Sequence, residues 1–243
     1  MQLKANVHMH TSDDPVDAVS YSLFEAVDHA ASIGFDVLAI TCHHTVAWTQ
    51  EYATYAAGKG ILLISGIELS VGETIDDRGY HVLLLGATKD AEYIKTFAEL
   101  AAYRTHHTEA VVIAPHPYFY GNFSLHTKLE QYINLFDAIE HSWFYSRHMN
   151  RNLRAIEVAR RHHLPLIATS DTHFFDFMQD NYSVINATEK SEGAVLNAVK
   201  TGSFSIYTRP RRLWSEMILP QSMFFIKTIF ARLTGASMKI GES

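Results

Sequence analysis

The sequence predicts an α/β protein built on a parallel sheet, either closed into a barrel or doubly wound, and three observations carry that prediction. Short runs rich in Val, Ile and Leu alternate with longer segments of helical period, as in βαβ units. The runs are nearly continuously apolar, which implies strands buried on both faces. Histidines and carboxylates fall where those strands end, which in such sheets is the face that carries function.

Taken in order, strands are expected over residues 3–7, 36–42, 61–69, 80–86, 110–114, 136–140, 164–170 and 204–207. Helices are expected from Ser22, whose Ser-Leu-Phe-Glu is a capping-box pattern, to Ser32 before Gly34, and over 46–57, 91–103, 125–135, 149–162 and 192–200. The chain of 243 residues with 47% hydrophobic content suffices for a sizeable core. No repeat or linker precedes about residue 207, so one domain over 1–206 is expected, followed by a basic and aromatic tail over 207–243.

A net charge of −6 offers no field for a polyanion, so duplex nucleic acid is not an expected partner. One cysteine excludes an internal disulfide framework, and MQLKANVHMH lacks the apolar core of a secretion signal. A reducing, cytoplasmic setting is the expectation.

Fifteen histidines stand against 20 Lys plus Arg. Their positions are more telling than their number. His8 and His10 follow the first strand, His43 and His44 the second, and Glu68 closes the third. His81 opens the fourth, His116 follows the fifth, Glu140-His141 ends the sixth, and Asp171 and His173 follow the seventh. In His8-x-His10 and Asp171-x-His173, alternation along an extended chain puts both side chains on one side, within reach of one ion. Histidine and carboxylate ligands without thiolate suit Zn²⁺, Mn²⁺ or Fe²⁺.

The stretches VHMHTSDD, AITCHH, SGIELS, YHVLLLG, IAPHP, DAIEHS and LIATSDTH together resemble the polymerase and histidinol phosphatase (PHP) family of metal-dependent phosphoesterases, over about residues 1–206. The resemblance implies a distorted (βα)7 TIM-like barrel with two or three divalent ions at its C-terminal face. His8, His10, Glu68 and Asp171 would hold one ion. His43, His173 and an acid of the 13–17 stretch, Asp17 by count with Asp13 and Asp14 as alternatives, would hold a second. Glu68 with His81 and His116 would hold a third. Two departures stand out: Cys42 occupies a position where the family usually has Asp, and Ser-Asp-Asp-Pro-Val-Asp replaces the usual Ser-Asp-Gly.

Such a centre points to hydrolysis of a phosphomonoester, a nucleotide or other small phosphorylated metabolite, by metal-activated hydroxide. His141 is a candidate proton donor to the leaving group, and Arg147 or Arg78 a candidate phosphate clamp. His44 is expected at the rim. Tyr118, Phe119, Tyr120, Trp143, Phe144 and Tyr145 are candidates to wall the pocket. Two other functions fit the same residues: hydrolysis of a nonphosphate bond such as an amide, against which no strand-end Lys is present to bridge metals, and a noncatalytic metal-bound scaffold.

The tail carries Arg209, Arg211, Arg212 and Trp214, then Phe224, Phe225, Ile226, Ile229, Phe230 and Leu233 with Lys227 and Arg232. No 18-residue apolar run exists, so the alternatives are a helix packed on the barrel or on a second copy, and a helix in peripheral contact with a membrane.

Overall fold

The structure, a computed structural model, describes residues 1–77 and 79–234, without the side chains of residues 176, 221, 224, 227, 228 and 231–234. Arg78 and the side chains of Phe224, Lys227, Arg232 and Leu233 lie outside the described residues.

In chain order the elements are β1 (Gln2–Asn6), α1 (Leu23–Ser32), β2 (Val37–Ile40), α2 (Gln50–Gly58), β3 (Leu62–Val71), β4 (Tyr80–Leu85), α3 (Phe97–His106), β5 (Val111–Ala114), α4 (Thr127–Gln131), β6 (Ala138–His141), α5 (Asn152–His162), β7 (Leu166–Ala168), β8 (Asn181–Asn186), α6 (Glu192–Lys200), β9 (Phe204–Thr208) and α7 (Leu219–Thr234). Helix α1 begins as its sequence dictates. The Ser22 hydroxyl accepts from Glu25 N–H while Glu25 accepts from Ser22 N–H, satisfying donors that a helix start leaves free.

The strands form one nine-stranded sheet in the order β7-β6-β5-β4-β3-β2-β1-β8-β9. It curls into a nearly closed barrel, and the closure is made largely by side chains. Ser183 Oγ accepts from Ala168 N–H and donates to Ala168 O, while Asn181 Nδ2 donates to Thr169 O and His141 O. At the barrel's functional end, His10 N–H donates to Thr172 O and Thr172 N–H to His8 O, so the chain beyond β1 meets the chain beyond β7. The barrel lumen is filled by Leu3, Ala5, Val37, Ile64, Leu83, Ile113, Ala138 and Ile167 among others, all buried. It is a packed core that supports the site from below.

The barrel class is as expected, but the sheet departs from a sevenfold parallel repeat. Strand β4 is antiparallel to both neighbours, and β8 is antiparallel to β1 and β9. The first reversal explains His81. Because β4 runs against its neighbours, its first residues stand at the end where the parallel strands finish. Strand β8 is absent from the sequence expectation. Its inward residues include Asn181 and Ser183, both buried, so NYSVIN lacks the apolar alternation that marks a strand. Within the expected 125–135 helix, α4 is only five residues and a 3-10 turn over Ile133–Leu135 follows.

The sheet continues through Thr208, and the chain beyond it is docked on the barrel. Arg209 makes a two-pronged contact with Asp180. The buried Arg211 lies over the Phe177 ring at 3.7 Å and beside Trp143, and Met217 is fully buried among Trp143, Phe144 and Phe177. Along α7, Met223, Ile226, Ile229 and Phe230 are exposed. Among the described residues, no helix is long and apolar enough to cross a membrane.

Candidate metal centre

Glu68 is the hub of the site. It sits near the end of β3, 1% exposed, and five imidazoles surround its two oxygens. Oε2 lies 3.2 Å from Nε2 of His8, His10 and His43. Oε1 lies 2.8 Å from His81 Nδ1 and 3.1 Å from His116 Nε2. Asp171 Oδ1 approaches Nε2 of His8 and His10 at 3.4 and 3.3 Å. On the other flank, Asp17 Oδ2 is 3.1 Å from His173 Nε2 and 3.9 Å from His43 Nδ1.

The backbone holds several of these side chains at a cost. Asp171 and His116 have φ of 44° and 28°, left-handed values that a non-glycine residue adopts only when its surroundings impose them. His44 shares this feature at φ 55°. Its ring Nε2 meets the Ser70 hydroxyl at 3.3 Å and does not line the pocket, contrary to the expected rim position.

The far sides of two rings decide what their near sides present. His8 Nδ1 is 2.8 Å from Glu140 Oε2, and His10 Nδ1 is 2.7 Å from Asp14 Oδ2. A carboxylate only accepts, so each Nδ1 carries the hydrogen and each neutral ring turns the Nε2 lone pair toward Glu68 and Asp171. The two Nε2 atoms are 3.3 Å apart, and Asp171 Oδ1 is buried without a hydrogen bond. Lone pairs facing lone pairs in a buried volume repel unless positive charge lies between them. That charge is supplied by protons or by divalent ions, and a nitrogen and carboxylate donor set without thiolate fits Zn²⁺, Mn²⁺ or Fe²⁺.

Titration follows the same electrostatics. Burial opposes a charged His8, but Asp171, Glu68 and Glu140 outweigh it and raise its pKa to about 10. His10 is raised likewise, against burial, by Asp14, Asp171 and Glu68. Burial pushes Glu68 and Asp171 up, yet the surrounding histidines hold both well below the usual carboxylate range. For His81, burial prevails and lowers the pKa.

Three groups have donor atoms close enough to share one ion: His8, His10, Glu68 and Asp171; His10, Asp14 and His43; and His43, Glu68 and His81. Of the nine residues singled out in the sequence, His8, His10, His43, Glu68, His81 and Asp171 fall in these groups, with Asp14 in place of the expected Asp17 beside His43. His116 reaches Glu68 at 3.1 Å, and Asp17 and His173 pair with each other on the flank. His141 and Arg147 do not join them. Alternation along β6 turns Glu140 inward, and the His141 ring lies beside Tyr145 instead. Arg147 is exposed on the loop beyond Ser146, which is tied down by Met149 N and Arg211. Two carboxylates behind the rings, Glu140 and Asp14, were not singled out as orienting groups. The signal for Glu140 was its place one residue before the end of a strand.

Over the cluster opens a pocket of about 240 Å³. Its polar floor includes Asp17, His43, Glu68, His81, His116, Asp171 and His173, and its wall Phe119, Phe123, Trp143, Phe144, Phe174 and Phe225. Phe119, Trp143 and Phe144 were expected there. Tyr118, Tyr120 and Tyr145 point elsewhere: Tyr120 packs under Arg151, Tyr118 near Arg154, and Tyr145 OH donates to Thr208.

The PHP domain family matches residues 6–185. The chain belongs to this family. No curated protein matches the sequence. Among solved structures, this PHP domain is similar to a two-domain protein from Bacteroides vulgatus containing a predicted PHP-like metal-dependent phosphoesterase, with TM-score 0.64 and 20% identity over 86% of this chain and 65% of that one. The chain therefore spans less than two thirds of that protein's length. It is similar to PsfC from Pseudomonas syringae, with TM-score 0.59 and 14% identity over 97% and 99% of the two chains. It is also similar to the lesion-specific endonuclease PfuEndoQ from Pyrococcus furiosus, with TM-score 0.60 and 13% identity over 93% and 66%. At these identities the likeness speaks for the fold.

Proposed function

We propose that this PHP domain is a metal-dependent phosphoesterase that hydrolyses a phosphomonoester, a nucleotide or another small phosphorylated metabolite. The observation that carries the reading is the convergence of the Nε2 atoms of His8 and His10 on the carboxylates of Glu68 and Asp171. Family membership supports a metal-dependent hydrolase, and the pocket supports the substrate class.

His8, His10, Glu68 and Asp171 would hold one ion, His43, His173 and Asp17 a second, and Glu68, His81 and His116 a third. Divalent ions held there would supply Lewis-acid activation of water near neutral pH and would offset charge on phosphoryl oxygens. The chain's own residues do the rest. Glu68 and Asp171 supply negative charge that keeps the ions in place, Glu140 holds His8 in one tautomer, and the six aromatic side chains exclude water from the leaving group.

Among the described residues lining the pocket there is no arginine or lysine. Phosphate charge would therefore be met by the metal centre alone, which favours a single phosphate over a polyphosphate or a DNA backbone. The aromatic wall suits a compact leaving group with a flat or apolar face. This continues to argue against duplex nucleic acid as the substrate, despite the fold shared with an endonuclease.

The test is phosphate release from a panel of phosphomonoesters, nucleotides and an abasic-site duplex by chelator-stripped protein, titrated with Mn²⁺, Zn²⁺ and Fe²⁺ and repeated with His8→Ala. Metal-dependent release from monoesters, abolished by the substitution, is expected. Release from the duplex alone would replace the substrate class. No release with any metal from folded protein would overturn the reading.

A further inference from the structure

We infer that Asp14 is the positioning residue that builds one flank of the metal centre, fixing the rings of His10 and His43 and the turn that carries Asp17 through a single carboxylate. The inference rests on the metal-centre reading proposed above.

Five N–H groups converge on this side chain. Oδ2 accepts from His10 Nδ1 at 2.7 Å, His43 Nδ1 at 3.0 Å and the His43 backbone N–H at 2.8 Å. Oδ1 accepts from the backbone N–H groups of Val16 and Asp17 at 2.8 and 2.9 Å. The Asp14 side chain is 0% exposed, so none of these bonds is shared with solvent.

The geometry has three consequences. Both rings donate from Nδ1, and both turn Nε2 to Glu68 Oε2 at 3.2 Å. The rings are held stacked, with centroids 4.6 Å apart. The turn hung from Oδ1 brings Asp17 to His173. With three N–H groups already on Oδ2, its lone pairs are committed, so Asp14 acts behind the rings rather than on an ion. Position 42 does not provide this support, because the Cys42 thiol is buried beside the Thr11 hydroxyl at 3.6 Å. The burden of orienting His43 falls on residue 14.

An asparagine keeps the shape but not the chemistry. Its amide nitrogen cannot accept, so either the two rings or the Val16–Asp17 turn would face a donor. Support of this kind behind metal-binding histidines is worth roughly 10–100-fold in metal affinity.

The test measures bound metal per chain and the dissociation constant, by competition with a chromophoric chelator, for wild type, Asp14→Asn and Asp14→Ala, with the visible spectrum of the Co²⁺-loaded proteins and melting of the metal-free ones. The expected result is an unchanged ion count at saturating metal, affinity weaker by roughly 10–100-fold and an altered Co²⁺ spectrum. Wild-type affinity and spectrum in folded variants would make Asp14 a spectator and overturn the inference. Loss of one ion at saturating metal would make it a ligand, which also overturns it. If Asp14→Ala does not fold, Asp14→Asn alone decides. A wild-type protein that binds no metal would instead remove the underlying reading of the site.

Discussion

Glu140 Oε2 and His8 Nδ1 are 2.8 Å apart, on the side of the imidazole away from Glu68, and both side chains are completely buried. The contact selects the tautomer that leaves His8 Nε2 free. Glu140→Ala removes the acceptor, so the ring can rotate or exchange tautomers. Metal affinity is expected to fall by roughly 10–100-fold, measured by chelator competition. Glu140→Gln retains one accepting oxygen and is expected to lose less. Equal affinity in all three proteins would mean that the ring is held by packing alone.

The metal-free protein should depend on pH in a way the loaded protein does not. His8 has its folded pKa raised from 6.5 to about 10, so its protonated form stabilises the fold fully below 6.5, and that stabilisation is lost as pH rises toward 10. Glu68 and Asp171 are shifted down, so their contribution is present above about pH 4 and lost on acidification. Chelated protein is thus expected to melt highest near pH 5–6.5 and progressively lower toward pH 10. Divalent ions compete with the protons, so loaded protein should hold its melting temperature as pH rises. Scanning calorimetry with and without chelator checks both halves.

Gly66 connects the core to the hub. It lies two residues before Glu68, and a Cβ there would meet Thr41 Cγ2 at 2.7 Å, with Leu84 O and Ile40 O at 3.1 and 3.2 Å. The two carbonyls belong to neighbouring strands and cannot yield without moving the ladder. Gly66→Ala is expected to cost about 1–3 kcal/mol by denaturant titration and to weaken metal binding as Glu68 shifts. A variant of wild-type stability would show that β2 and β4 give way.

The site was more legible than the sheet that carries it. His8-x-His10 and Asp171-x-His173 announce themselves because i and i+2 share a side in extended chain, and the structure brings His8, His10 and Asp171 together with Glu68 while His173 meets Asp17 on the flank. The reversal of β4 left no such trace. Tyr80–Leu85 is as apolar as a parallel strand, and its direction is set by a connection too short for a helical crossover. Strand β8 was hidden because Asn181 and Ser183 close the barrel through their side chains. The pocket wall was half visible. Phe123, Phe174 and Phe225 come from loops and the tail, where no periodicity distinguishes a wall residue from a surface one. The outward turn of His141 followed from Glu140 taking the inward position beside it.

Two arginines share Asp180, and burial separates them. Arg209 reaches it with Nε and Nη2 from a side chain 43% exposed, whereas Arg211 Nη2 reaches it at 2.7 Å from one 1% exposed. Solvent screens the first pair, so Arg209→Ala is expected to cost less than about 1 kcal/mol. The second lies in low dielectric, with the guanidinium over Phe177 and beside Trp143. Arg211→Ala removes both the ion pair and the packing that supports a pocket wall residue, at an expected cost of about 3 kcal/mol. Urea denaturation of the two variants measures the contrast. Because Arg211 lies outside the metal cluster, its variant should bind metal normally while KM for aromatic phosphomonoesters rises through displacement of Trp143. Equal stability losses for the two arginines would mean that the tail is held by its backbone contacts, such as Arg211 N–H to Tyr145 O at 2.9 Å, and not by the buried charge.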